Sequence, residues 1–164
     1  MLNQYREKTV RTAGRNESFP MISSFGTPEN VFCYFWIWKQ LKIDAAVLAA
    51  QNATDEDIAN LDEHIVLMRY TVGSYHLWGK SAHQFHRSIT ETTHNALYIH
   101  LIAAIHNLFR CTVHSSLKRS LKNKKRMQHD IVDQHEAIAA AIGNHDAPAA
   151  GEMVRLHMDY IEDV

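Results

Sequence analysis

The chain has 164 residues, 18 acidic against 17 basic side chains, a net charge of −1 and 46% hydrophobic residues. That length buries the core of one domain, and the balanced charge excludes a strong overall field for nucleic acid or membranes. The two cysteines, Cys33 and Cys111, stand far apart in no metal-type spacing, so a disulfide scaffold is excluded and a reducing, cytoplasmic setting is expected. The longest apolar run, Ala96 to Phe109, is too short to span a bilayer and is broken by His100, His106 and Asn107; no apolar signal segment opens the chain.

Residues 1–27 contain Gly14, Pro20, Gly26 and scattered cations at Arg6, Lys8, Arg11 and Arg15, and are expected to be an irregular leader or linker remnant. A first helix is expected from Thr27-Pro28, an N-cap followed by a proline suited to the first turn, to about Gln51. Its aromatic cluster, Phe32, Tyr34, Phe35, Trp36 and Trp38, is wide for one face, which suits core packing with a share left for a dimer interface. A second helix starts at Thr54, where Asp57 three residues on gives a capping-box signal; Ile58, Leu61, Ile65, Met68 and Val72 then recur at threes and fours.

The third helix is expected over Tyr75 to Thr93, with Gly79 as a break within it. Asn95 then opens a fourth, with an apolar row through Leu97, Leu101, Ile105, Leu108 and Val113 to about Lys122. Asn95 reads as a helix cap, and Arg110 as a surface cation or a bidentate partner for a carboxylate. Lys118 to Arg126 holds six cations in nine residues. Without interleaved aromatics it reads as a solvated helix end rather than a nucleic-acid patch. A fifth helix runs from about Met127 to a stop at Gly143-Asn144, and a sixth from Ala147-Pro148 to Asp163. No sustained period-two run suggests a strand. The expected fold is all-α, an antiparallel bundle of about six helices over residues 28–164 with a central polar pocket.

Three histidines fall on the apolar sides of three of these helices. His86 lies beside Phe85 and three residues before Ile89; His135 shares a stripe with Ile131, Ile138 and Ile142; His157 shares one with Val154 and Ile161. Residues three and four apart share a helical face, so the imidazoles should point inward. There they could hold one metal ion, or each could be a hydrogen-bonded core residue, an alternative kept open by the presence of 12 histidines.

The stretches F-H-R-S-I-T-E-T-T-H-N-A-L (Phe85–Leu97), Q-H-E-A-I-A-A-A-I (Gln134–Ile142) and M-V-R-L-H-M (Met153–Met158), with L-K-I-D-A-A-V-L-A-A at Leu41–Ala50, resemble the C-terminal effector-binding (FCD) domain of FadR-subfamily GntR transcriptional regulators. The resemblance covers about residues 29 to 164. It implies an all-helical sensor and homodimer that binds a small carboxylate effector on a divalent transition metal, Zn or Ni, with His86, His135 and His157 as ligands and Asn95 as a candidate effector contact. It implies DNA contact only through a winged helix-turn-helix, for which residues 1–27 leave no room. The chain departs from the family pattern at three positions. The ligand Asp four residues before the first His is Ala82, an acid of the first helix is Lys42, and an Arg three residues before Leu41 is Trp38. The alternatives are a small three-His hydrolase-like metalloenzyme, for which Asp130, Asp133 and Glu136 are poorly placed as general bases, and a ligand-free dimerisation module. Sensing without catalysis is the expected function.

Overall fold

The structure is a computed structural model that describes residues 28–112 and 125–163, with side chains over 35–105 and 125–163. Among the described residues six helices run in order: α1 (Pro28–Asn52), α2 (Asp55–Tyr70), α3 (Tyr75–Thr92), α4 (Ala96–Thr112), α5 (Lys125–Gly143) and α6 (Ala147–Asp163). Among the described residues there is no strand. No helix of the described residues is long and apolar enough to cross a membrane. The leader and Lys118–Lys124 of the basic run lie outside the described residues.

Helix α1 is the central post. It packs on α6, α3, α5 and α4. A helix covered on several sides must be apolar around most of its circumference, and Ala45, Ala46, Ala49 and Ala50 are all fully buried. Small side chains let the neighbouring axis come close: a Cβ added at Gly151 of α6 would stand 2.9 Å from Cγ2 of Val47. Helix α2 leaves α1 after a two-residue link and packs instead on α3 and α5. Its buried stripe is Leu61, Ile65 and Met68. The Thr54–Asp57 capping box forms in both directions, with the Asp57 N–H on the Thr54 hydroxyl at 3.2 Å and the Thr54 N–H on the Asp57 carboxylate at 2.9 Å.

Two helix features differ from expectation. Gly79 does not break α3, which is continuous to Thr92. Helix α5 ends at Gly143 as expected, but the left-handed cap beyond it is His145, at φ 56°. Its N–H bonds the Ile142 carbonyl and that of Asp146 bonds the Ala141 carbonyl, a Schellman closure. The His145 ring is held by the Ala50 carbonyl at 2.9 Å, which secures an otherwise unfavoured backbone state. Asp146 then caps α6 through the Ala149 N–H at 3.0 Å. The turn therefore has little freedom, and it aligns α5 against α6.

Helix α4 also has a different inward face. Leu97 and Leu101 are 79% and 45% exposed, while Ile102 is buried with Tyr98 and Ile105 packed against the core. The Tyr98 hydroxyl donates to the Leu41 carbonyl at 2.8 Å, which fixes the rotation of α4 on α1. Of the apolar row read from spacing, Leu97 and Leu101 miss the core while Ile105 packs against it; the side chains of Leu108 and Val113 lie outside the described residues.

Candidate metal centre and its adjoining cavity

The α3, α5 and α6 frame brings the three expected histidines together. His135 and His157 are buried and His86 is half-buried. Ring centroids are 4.8 Å apart for His86–His135, 5.3 Å for His86–His157 and 4.6 Å for His135–His157. One nitrogen from each ring lies within 4.8 Å of the others, so the set could hold a metal ion.

Hydrogen bonding assigns roles to some of these nitrogens. His157 Nδ1 lies 2.9 Å from Oε1 of Gln134, an acceptor, so its proton sits on Nδ1 and Nε2 keeps a lone pair. The Nε2 atoms of His86 and His135 are 3.1 Å apart. One proton between them satisfies both without any ion. The same separation is close to what two imidazoles need on one ion at about 2.0–2.1 Å from each nitrogen. Nδ1 of His135 is buried with no partner. Histidine ligands ordinarily donate their second N–H to a carboxylate or carbonyl, so His135 lacks the usual outer support.

All three rings are held neutral. Burial drives His86 well below the ordinary histidine value, helped by His135, Lys42 and His157. Burial likewise lowers His135 strongly, helped by His157 and Lys42, and brings His157 to about 4, again with Lys42 contributing. Neutral imidazoles are the ligating form and suit borderline ions such as Zn or Ni. The donor set therefore fits such an ion, though weakly: among the described residues no carboxylate joins it, since Ala82 occupies the position of the family's Asp, and His83 is exposed.

The candidate general bases lie elsewhere. Asp133 and Glu136 both bond Arg69 of α2, at 2.9 and 2.5 Å, and Asp130 accepts from the Tyr160 hydroxyl at 3.2 Å. Asn95 is exposed, and its side-chain oxygen accepts the Tyr98 N–H at 3.1 Å as the cap of α4. The side chain of Arg110 lies outside the described residues.

A cavity of about 360 Å³ lies between α1, α3 and α4; the three histidines do not line it, and Lys42, which does, is the cation that acts on all three of them. Trp38, Lys42, Thr90 and Ile102 form its buried floor, and His83 and Arg87 stand at its exposed mouth. Lys42 was legible only as a departure from a family pattern. Its structural position is more consequential, because its side chain is 7% exposed and its ammonium sits 4.6 Å above the Trp38 ring. Burial alone lowers it from 10.5 to about 7. The signal that could have found it is local: Trp38, Lys42, Ala45 and Ala49 share one face, which puts a cation in an apolar stripe.

Known proteins share this sequence pattern and this fold. The family profile described as the FCD domain matches residues 35–160. The HTH-type transcriptional regulator LutR of Bacillus subtilis (strain 168) is 26% identical over 126 residues, covering 77% of this chain and 58% of LutR. The solved structure of E. coli McbR/YncC superimposes with a TM-score of 0.72 at 15% identity, covering 82% of this chain and 63% of that one, a likeness of fold. The chain thus spans less than two thirds of the length of either protein.

Proposed function

The chain belongs to the FCD domain family, and from that premise we propose that it is the effector-sensing and dimerisation domain of a GntR-type transcriptional regulator, working in the cytoplasm on a small organic acid. The observation that carries this reading is the convergence of His86, His135 and His157 from three helices beside a cavity of about 360 Å³. A divalent ion held by those three imidazoles would supply a Lewis-acidic anchor for an effector carboxylate. This chain's own residues would exclude water around it, through Phe85, whose ring centroid lies 4.8 Å from that of His135. They would also fix the His157 tautomer through Gln134.

Operator DNA would be read by a separate domain, and the effector would act by favouring one of two arrangements of a dimer. A hydrolytic role is disfavoured by the engagement of Asp133 and Glu136 with Arg69, which leaves no general base beside the rings among the described residues. The test is metal content by mass spectrometry on untagged protein purified without chelator, followed by titration with zinc or nickel. Near-stoichiometric ion that disappears in His135→Ala is the expected result. A wild-type protein that binds neither ion at micromolar concentration would refute the metal-dependent form of the reading.

A further inference from the structure

We propose that Lys42 is the anchoring cation of the effector site, binding the ligand carboxylate directly, with or without an ion on the histidines. The inference rests on the sensing function proposed above. It is motivated by an electrostatic imbalance in the cavity. Lys42 is more than nine-tenths buried and lines the cavity. No carboxylate or hydrogen-bond acceptor of the described residues contributes to its charge state; burial is the single cause acting on it. A buried ammonium ordinarily sits beside an acid. The neighbouring imidazoles cannot compensate it, being neutral bases that its own charge opposes protonating. An acid of the cavity wall is committed elsewhere: Glu91 is paired with Arg87 at 2.8 Å.

A buried lysine without an acid either gives up its proton or gains an anion, and the partner that would hold Lys42 charged in this cavity is an anion brought by the ligand. The shape of the floor constrains the rest of that ligand. The Trp38 ring and Ile102 are apolar and buried, Ile99 adds a half-buried wall, and polar groups gather at the mouth. The occupant is a small carboxylate whose body next to the carboxylate is flat or apolar. The Thr90 hydroxyl, now donating to the His86 carbonyl at 3.1 Å, keeps a lone pair for any donor group on that body.

The test uses the full chain, stripped with EDTA and dialysed, with benzoate and the neutral isostere benzamide as probes. Binding is followed by calorimetry and by Trp fluorescence. The expected result is saturable benzoate binding to the stripped wild type, at least tenfold weaker benzamide binding, and at least tenfold loss of benzoate affinity in Lys42→Met. Circular dichroism and a thermal midpoint no lower than wild type show that the variant is folded, so that the loss belongs to the charge. Equal benzoate binding by wild type and Lys42→Met would overturn the proposal. So would binding that needs added zinc and is indifferent to residue 42, which leaves the sensing function standing. Absence of benzoate binding to wild type with and without zinc would overturn both the anchor and the small-acid reading.

Discussion

Removing the charge at residue 42 should make the ligand-free protein more stable. The Lys42 value falls from 10.5 to about 7 through burial. The folded state therefore binds the proton less tightly than the unfolded chain does. Stability consequently rises with pH between about 7 and 10.5, and below 7 the full penalty is present because both states are protonated. At about 1.4 kcal/mol per pKa unit, the penalty at pH 6 is roughly 4 to 5 kcal/mol. Lys42→Met keeps the stem volume and removes the charge, but forfeits the cation–π contact with Trp38, worth about 1 kcal/mol. The net expectation is a variant about 3 kcal/mol more stable at pH 6, read as a rise of about 1–2 M in the urea midpoint. At pH 9 folded Lys42 is neutral and makes no cation–π contact, and about 2 kcal/mol of the penalty remains, because that pH lies about 1.5 below the unfolded value of 10.5, so the gap should shrink to about 2 kcal/mol. The groups facing Lys42, namely His86, His135, His157, His83, Arg87 and Glu91, are retained in both proteins, and the three imidazoles that Lys42 helps to hold low become easier to protonate in the variant, so the difference between the two urea curves reads residue 42 together with that release. A Lys42→Met protein less stable than wild type at pH 6, or a gap of equal size at pH 6 and pH 9, would refute the reasoning.

Three further substitutions test the frame around the site. Thr54→Ala removes one half of the α2 capping box and should lower stability by about 1 kcal/mol in urea melts. Gly79→Ala meets nothing within 4 Å in the middle of a continuous helix. It should therefore stabilise by about 0.5–1 kcal/mol; a loss would show that α3 bends there after all. Gly151→Leu drives a side chain into Val47, a β-branched residue with little rotamer freedom. It should lower stability by about 2–3 kcal/mol and, by parting α1 from α6, weaken any ion bound at His157.

Legibility in the sequence followed how local the determining physics was. The capping box of α2 needs only Thr54 and Asp57, and it formed as expected. Helix existence came from threes and fours and held for all six. The rotation of α4 was set by a tertiary bond, Tyr98 hydroxyl to Leu41 carbonyl, 57 residues apart, and periodicity cannot see it. Leu97 and Leu101 are as apolar as a core row, yet Ile102 takes the inward position. The end of α5 fell at Gly143 as expected, but its cap was not legible. Gly143 is the favoured residue for a left-handed cap, but the turn goes to His145 because Ala50 of α1 offers its ring an acceptor.

The site divides along the same line. His86, His135 and His157 were singled out because each is polar on an apolar helical face, and the fold brings one nitrogen of each within 4.8 Å of the others. Lys42 is the same kind of anomaly on α1, and it sits beside Trp38 on the cavity floor. The departures at 42 and 82 have a consistent sign. An acid is absent from the histidine cluster at Ala82, and a cation has entered the neighbouring floor at Lys42. Each change makes the centre less hospitable to a doubly charged ion and more hospitable to an anion. A divalent ion with Asp presents a net charge of +1 to the ligand; Lys42 alone, protonated, presents the same. With no ion bound, the exchange would keep the charge that a carboxylate meets, its source then being the chain itself. That is why the affinity for zinc and the affinity for benzoate should come apart in this protein, with His135→Ala abolishing the first and Lys42→Met the second.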